Sequence, residues 1–271
     1  SALRNPRRLP LLKGMLSCKQ QRQGMIIVSN RRHPLAPFRH KTFRALWAAT
    51  LFSNFGGLVQ AVGAAWMMTM ITDSATLIAL VQASNTLPIM LFALASGTLA
   101  DSFDRRTLLI GAQLFMAATS LVLAIMAWSG AMTPWLLLGF TFLIGTGQAL
   151  YNPPWQASMG DLVPREDLPN AVTLNSVGFN LMRSVGPAAG GIVTAAWGAA
   201  AAFTVNAISY TPLLVALFLW RPERQKRRIA RERFISAAGS GLRYVALSPN
   251  LVRVLTRGGL FGLSAVSILA L

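Results

Sequence analysis

Acidic residues are scarce in this 271-residue chain, which has 8 Asp and Glu against 25 Lys and Arg. Charged residues make up only 12% of the chain, about half the share found in soluble proteins. There is a single cysteine, Cys18, so no internal disulfide can form, and the two histidines are His33 and His40. These shortages argue against metal or nucleophilic chemistry, so we expect no enzyme activity, no metal and no cofactor.

Two further absences narrow the function. The sequence contains no G-x-x-x-x-G-K-[ST] loop, which argues against an ATP-driven pump on this chain. Most of the basic residues form two blocks, eleven Lys and Arg within residues 1–44 and eight within residues 221–243. Neither block carries a helix-turn-helix, zinc-finger or RRM signature, so we expect no nucleic-acid partner. We attribute the positive charge to membrane topology instead.

Long apolar runs are what the sequence has in quantity, since 54% of its residues are hydrophobic. A helix needs about 20 apolar residues to cross a bilayer, and six runs reach that length before a seventh begins near Leu251. We therefore predict an all-α polytopic membrane protein embedded in the lipid bilayer. Tryptophans at run ends are expected at the headgroup level: Trp128, Trp135, Trp197 and Trp220. The predicted spans are residues 44–71, 75–100, 107–128, 134–155, 171–197 and 200–220.

Lys and Arg alternate between successive connections. Residues 72–74, 129–133 and 197–200 contain none, whereas the connections at 101–106 and 160–167 contain at least one. By the positive-inside rule, the basic connections and the amino terminus are expected in the cytoplasm, in a multi-pass protein of the inner (cytoplasmic) membrane.

The same pattern predicts four regions in the chain. We expect a basic cytoplasmic tail at 1–43, a six-helix transmembrane bundle at 44–220, a basic cytoplasmic linker at 221–250, and the truncated start of helix 7 at 251–271. Within the tail, residues 1–24 are expected to precede a native start at Met25. The chain is thus expected to be the amino-terminal part of a longer protein.

A weak internal similarity pairs helices 1 to 3 with helices 4 to 6. Residues 55–66 and 144–155 align without gaps, matching Gly56 with Gly145 and Trp66 with Trp155. Inverted three-helix repeats are a known transporter architecture.

The turn after the second span, GTLADSFDRR at 97–106, gathers charge between two apolar runs. It resembles the signature loop of the major facilitator superfamily, G-x-L-a-D-r-x-G-r-r, with Ser102 in place of the usual basic residue and Asp104 in place of the usual glycine. Its Phe-Asp-Arg-Arg form resembles the branch containing the enterobactin exporter and transmembrane secretion effectors. The matching residues are Gly97, Leu99, Ala100, Asp101, Arg105 and Arg106.

This resemblance implies the major facilitator fold, here the amino-terminal six-helix bundle plus the start of the second bundle. It also implies that Asp101 meets a helix end from the other half and holds the outward-facing state. Asp161, at the end of helix 4, is a further candidate for this cluster. The alternative is a solvated loop whose charges serve topology alone.

A second motif lies on helix 5, where RSVGPAAGG spans residues 183–191. Its Gly186, Pro187, Gly190 and Gly191 resemble the G-P-x-x-G-G element of superfamily exporters that work as antiporters. Gly186 and Gly190 form a small-xxx-small face suited to close helix packing, and Pro187 removes a backbone donor. Ordinary packing is the alternative.

Polar residues within the spans are the candidates for substrate contact. Arg183 lies about 18 Å along helix 5, near mid-membrane. Because a cation is costly at that depth, we interpret Arg183 as a functional-site residue. The alternative is an arginine with a purely structural role. The resemblance implies that helices 1 and 4 line the central cavity, although each amide there could instead join helices. The cavity candidates are Asn54, Gln60, Gln148, Tyr151, Asn152 and Arg183.

We interpret the sequence as a secondary active transporter that exports a siderophore-like or drug-like small molecule by alternating access, monomeric at full length. No Asp or Glu lies deep in helices 1 to 6, so protons stay open as the coupling ion. An importer of the same fold and a membrane scaffold that transports nothing are the rival interpretations.

Overall fold

The computed structural model describes residues 33–102, 104–221, 248, 253 and 256–258, with backbone alone for residues 93–102. A short 3-10 helix, Ala36–Arg39, leads into six long α-helices. The predicted linker and the predicted start of helix 7 lie almost wholly outside the described residues. The helices are α1 (Lys41–Ile71), α2 (Ala75–Ser102), α3 (Arg105–Trp128), α4 (Pro134–Leu162), α5 (Leu168–Trp197) and α6 (Ala199–Leu219).

Each predicted span is a helix, and most of the helices extend beyond the apolar run that predicted them. α4 differs most, because it continues through Pro153 and Pro154 to Leu162. Within the described part of the chain, four segments are both long and apolar enough to cross a membrane. α4 and α5 have the length as well, and they carry amides, prolines and glycines among their apolar residues. The amides among them contribute to the polar surfaces described below.

The helices pack in the spatial order α2, α4, α3, α6, α1, α5. α1 packs mainly against α6 and α5, and α4 packs mainly against α3 and α2. If α1, α2 and α3 are exchanged with α4, α5 and α6, respectively, the same pairs of helices remain the main neighbours. The packing therefore follows the predicted three-plus-three repeat.

The residue-by-residue alignment proposed for that repeat does not agree with the packing of the helices. Gly56 packs against Ser209 on α6, whereas Gly145 packs against the backbone of Asn85 on α2, and these are not equivalent neighbours. Trp66 is exposed and Trp155 is buried. The two identities between the segments are therefore coincidental.

Two hydrophobic clusters fill the bundle, one toward each end. One contains Phe43, Leu109 and Leu213, and the other contains Met68, Leu123 and Phe203. A layer of buried polar side chains from α1, α3 and α6 lies between them. Large apolar side chains elsewhere remain exposed, as expected for surfaces that contact lipid. Trp128, Trp135 and Trp197 are among these exposed side chains, while Trp220 is buried.

Candidate functional site

One face of α5 is built for close packing against α1. A Cβ atom added at Gly178 would lie 2.6 Å from Leu51 Cδ2, and one added at Gly186 would lie 2.7 Å from Leu58 Cβ. Contacts this short leave no room for a side chain, so glycine lets the two helices approach each other. This packing fixes the rotation of α5 and thereby decides which of its side chains remain open.

A second face of α5 is polar and exposed. Ser176, Asn180, Arg183 and Ser184 repeat at spacings of three and four residues, which places them on one side of a helix. The Asn180 amide donates to Ser176 O at 2.9 Å, and the Ser184 hydroxyl donates to Asn180 O at 3.1 Å. Each of these two side chains therefore has one hydrogen bond to the helix backbone.

Arg183 differs from its neighbours on this face. It follows Leu168, the first residue of the 30-residue α5, by about 22 Å of helix and lies near the middle of the element. Its side chain is exposed, and no carboxylate in the described residues lies within ion-pair distance of its guanidinium. The other charged residues of the six helices lie in first or last turns.

Helices α2 and α4 carry further amides, some of them around a small cavity that these helices share with α1. Asn152 and Gln82 are exposed, and Gln148 is half-buried with its Nε2 atom near Gly57 of α1. A cavity of about 20 Å³ lies between α1, α2 and α4, which is room for about one water molecule. Its polar lining consists of Gln60, Gln82, Asn85, Thr141 and Gln148.

Two of the predicted cavity residues also join helices. Gln60 is buried, and its Oε1 atom accepts hydrogen bonds from the Ser120 hydroxyl at 2.9 Å and from the Asn206 amide. The Tyr151 hydroxyl lies 3.5 Å from Thr50 Oγ1 in the core. Both side chains therefore act mainly as interhelical contacts. Asn54 is half-buried, so Asn152 and Arg183 are the exposed members of the predicted set.

The sequence interpretation passed over Asn206, which the structure places at the centre of the polar layer. Asn206 Nδ2 also lies 3.2 Å from Ser120 Oγ and 3.2 Å from Tyr210 OH. A signal was present, because Asn206 is the one carboxamide in the apolar helix α6. It joins α6 to α3 and, through Gln60, to α1.

The charged turn between α2 and α3 fastens three helices. Arg105 Nη1 donates to Ala157 O and to Asp161 Oδ2, each at 2.9 Å, which joins α3 to the end of α4. Arg106 donates to Leu217 O at 3.0 Å and to Phe218 O at 2.8 Å. These carbonyls belong to the last turn of α6, where a cation is favoured by the helix dipole. The predicted association of Asp161 with this turn is present as an ion pair.

Asp104, one of the two departures from the signature loop, has a structural task. Its carboxylate accepts from the backbone N–H of Thr107 at 3.2 Å and from the Thr107 hydroxyl at 3.0 Å, so it caps α3. Gly97 and Asp101 belong to the last turns of α2, and their surroundings lie outside the described side chains.

Comparison with known proteins fits this geometry. The family model described as transmembrane secretion effector matches residues 32–271. The chain belongs to this family of major facilitator transporters. Its membership agrees with the long, mainly apolar helices and with the charged turn between α2 and α3. The family is one of transporters and not of enzymes.

Individual relatives support the same family. Macrolide efflux protein A of Streptococcus pyogenes is 24% identical over 235 residues, covering 84% of this chain and 54% of that protein. The staphyloferrin A transporter of Staphylococcus aureus is 27% identical over 62% of this chain and 42% of its own length. The 4-hydroxybenzoate transporter PcaK of Pseudomonas putida is 32% identical, over 62% and 36% respectively. The chain thus spans about half the length of the curated relatives it matches.

The helix 5 motif divides between two faces of this transporter bundle. Gly186 and Gly190 face α1, where a Cβ at Gly190 would lie 3.1 Å from Val59 Cα. Pro187 and Gly191 are exposed, and a Cβ at Gly191 would meet no atom within 4 Å. Half of the motif therefore packs the bundle, and half stays on its surface.

This division predicts opposite outcomes for two similar substitutions. We expect Gly186→Ala to destabilise the bundle by about 1–3 kcal/mol, because its Cβ would force Leu58 away. Gly191→Ala makes the same chemical change in the same helix and is expected to leave folding stability within about 1 kcal/mol of wild type. Thermal unfolding in detergent checks both. Equal melting temperatures for the two variants would contradict the assigned rotation of α5.

Proposed function

We propose that this chain forms one half of a secondary active transporter that exports a small molecule across the inner membrane by alternating access. The observation that carries this proposal is Arg183, an exposed cation near the middle of α5. The described helices form one bundle, and in this architecture the substrate site lies at the interface between two such bundles.

The charge of Arg183 limits the surroundings in which its side chain can lie. An arginine facing hydrocarbon costs roughly 2.5–3.5 kcal/mol even by insertion scales. The same side of α5 carries Asn180 and Ser184, both exposed, and lipid would solvate none of these groups. A water-filled cavity between two bundles satisfies all three. The polar face of α5 is therefore the surface that we assign to the substrate pathway.

The charge of this face also restricts the substrate class. In the six described helices, Arg183 is the charged residue away from the helix ends, and its guanidinium has five N–H donors suited to planar oxyanions. We infer that the substrate presents a carboxylate or a comparable anionic group. The relatives include a protein named for staphyloferrin A and proteins named for macrolide efflux, so a siderophore-like or drug-like substrate is the class to test.

The conformational step is assigned to the charged turn. Arg105 and Arg106 tie α3 to the ends of α4 and α6, so these helices move as one unit. Asp101 lies in the last turn of α2, just before these arginines, and is proposed to contact the other bundle when the cytoplasmic side is closed. The basic connections then lie in the cytoplasm, and the complete transporter functions as a monomer, with protons as the candidate coupling ion.

Asp101→Asn tests the conformational role. We expect this substitution to lower efflux by the complete transporter at least about fivefold, since losing one charge–dipole contact shifts the closed state by roughly 1 kcal/mol. Membrane insertion, measured by quantitative blotting of membrane fractions, is expected to be unchanged. Asp73→Asn, an exposed carboxylate between α1 and α2, is the matched control. Unchanged efflux in Asp101→Asn would remove the role.

A transport assay with defined sidedness tests the overall function. We expect energised inverted membrane vesicles containing the complete transporter to accumulate a labelled anionic siderophore or drug that right-side-out vesicles do not. Accumulation in right-side-out vesicles alone would show an importer. A membrane-embedded protein that moves none of a broad panel in either direction would support the scaffold interpretation.

A further inference from the structure

A second, larger cavity opens at the end of the bundle where α1 begins and where α4 and α6 end. Its volume is about 670 Å³. It is separate from the polar face of α5, because its walls come from the first residues of α1, the last turn of α4 with the loop that follows, and the end of α6. Arg183 and Asn180, which belong to the polar face of α5, do not line this cavity.

The walls of this end cavity are apolar inside and basic at the edge. Leu46, Leu162 and Trp220 are buried side chains of the inner wall. Lys41, Thr42 and Arg221 are exposed residues of the edge. A cavity with this division suits a molecule that has a charged head and a less polar body.

The charge at the edge is positive. Within the described part of the chain, no carboxylate lies within ion-pair distance of Lys41 or Arg221. Asp161 also lines the cavity, but its Oδ2 atom is already 2.9 Å from Arg105 Nη1. α1 begins at Lys41 without a side-chain cap, so its first amides add partial positive charge to the same place.

We propose that the end cavity binds a phosphate ester, with the headgroup of an anionic phospholipid as the source that its position favours. The cavity lies at the ends of membrane-spanning helices, where headgroup phosphates are at the same level. Basic pockets between transmembrane helices are known to hold anionic headgroups, and each Lys or Arg near the surface contributes about 1 kcal/mol. Lys41 and Arg221 then bind the phosphate, and the apolar wall contacts the glycerol region.

The test is lipid retention by the complete protein, released from nanodiscs of equal phosphatidylglycerol and phosphatidylcholine and measured by native mass spectrometry. We expect the wild-type protein to retain one phosphatidylglycerol in preference to phosphatidylcholine. Lys41→Gln/Arg221→Gln removes two charges and is expected to weaken retention about 30-fold, the equivalent of two such contacts. Ala45→Phe narrows the cavity without changing charge and is expected to weaken retention as well.

The matched control is Arg39→Gln/Arg165→Gln, which removes two exposed positive charges outside the cavity. We expect it to retain phosphatidylglycerol like wild type. An equal loss in the control, or undiminished retention in Lys41→Gln/Arg221→Gln, would overturn the proposal. Added inorganic phosphate separates the two sources: displacement of the lipid at millimolar phosphate identifies free phosphate as a competing ligand of the same site, and persistence of the lipid identifies the headgroup. Equal retention of phosphatidylcholine would exclude recognition of anions.

Discussion

Arg183→Ala is expected to reduce export of an anionic substrate by about tenfold or more in the complete transporter. A charge-assisted hydrogen bond is worth about 1.5–3 kcal/mol, and each 1.4 kcal/mol is a factor of ten in affinity. Because Arg183 is exposed and makes no ion pair within the described residues, its removal should leave folding nearly unchanged. The effect should therefore appear in transport and not in protein level.

The measurement is the concentration dependence of efflux for a panel of anionic, neutral and cationic compounds. If Arg183 binds an anionic group of the substrate, the apparent KM for anions rises in Arg183→Ala while transport of neutral compounds changes little. Arg183→Lys keeps the charge but loses the planar pair of donors, so an intermediate KM is expected.

Arg165→Ala is the control for this substitution, because Arg165 is an exposed arginine in the connection between α4 and α5, outside the spans. We expect it to transport like wild type. Wild-type kinetics in Arg183→Ala as well would show that the guanidinium contacts no substrate. A fall in thermal stability of that variant, with no change in KM, would assign Arg183 to structure.

The spans were predictable because hydropathy and charge act along the chain. Burying about 20 apolar residues in a bilayer is a property of each segment alone, so the first residue of α2, Ala75, and the last of α3, Trp128, were placed correctly. The charged turn was predictable for the same reason, since its residues are adjacent in sequence. Neither required knowledge of which helix packs against which.

The rotation of each helix about its own axis was not predictable from the sequence. This rotation decides which candidate site residues are buried and which are exposed. Gln60 and Asn152 look alike in sequence, yet Gln60 is buried against Asn206 and Asn152 is exposed. Rotation depends on long-range packing, such as the contact of Gly178 with Leu51, which hydropathy does not encode. Packing also explains why the repeat holds for helices and fails for the pair Gly56 and Gly145.

Gly56→Ala is expected to be the most destabilising small substitution in α1. A Cβ atom at this position would overlap the Ser209 hydroxyl and lie 2.9 Å from Asn206 Oδ1. Overpacking typically costs about 1–3 kcal/mol. Asn206 also bonds Gln60 and Ser120 in the buried layer, and a buried polar group that loses its partner costs about 1–3 kcal/mol more.

The adjacent glycine supplies a matched control. A Cβ at Gly57 would have Gln148 Nε2 as its nearest neighbour at 3.8 Å, an ordinary contact. Gly57→Ala therefore makes the same change in helix propensity without the overlap, and we expect wild-type stability or a small gain. Thermal unfolding of both variants in detergent, followed by size-exclusion chromatography, measures the difference.

A second substitution identifies the cause of the loss. Ser209→Gly removes the atoms that the new methyl group would strike, so Gly56→Ala/Ser209→Gly should be more stable than the sum of the two single changes predicts. Additive losses would mean that α1 and α6 do not approach each other at this point. A coupled pair would show that α1 and α6 touch at this point and are tied together through the polar layer.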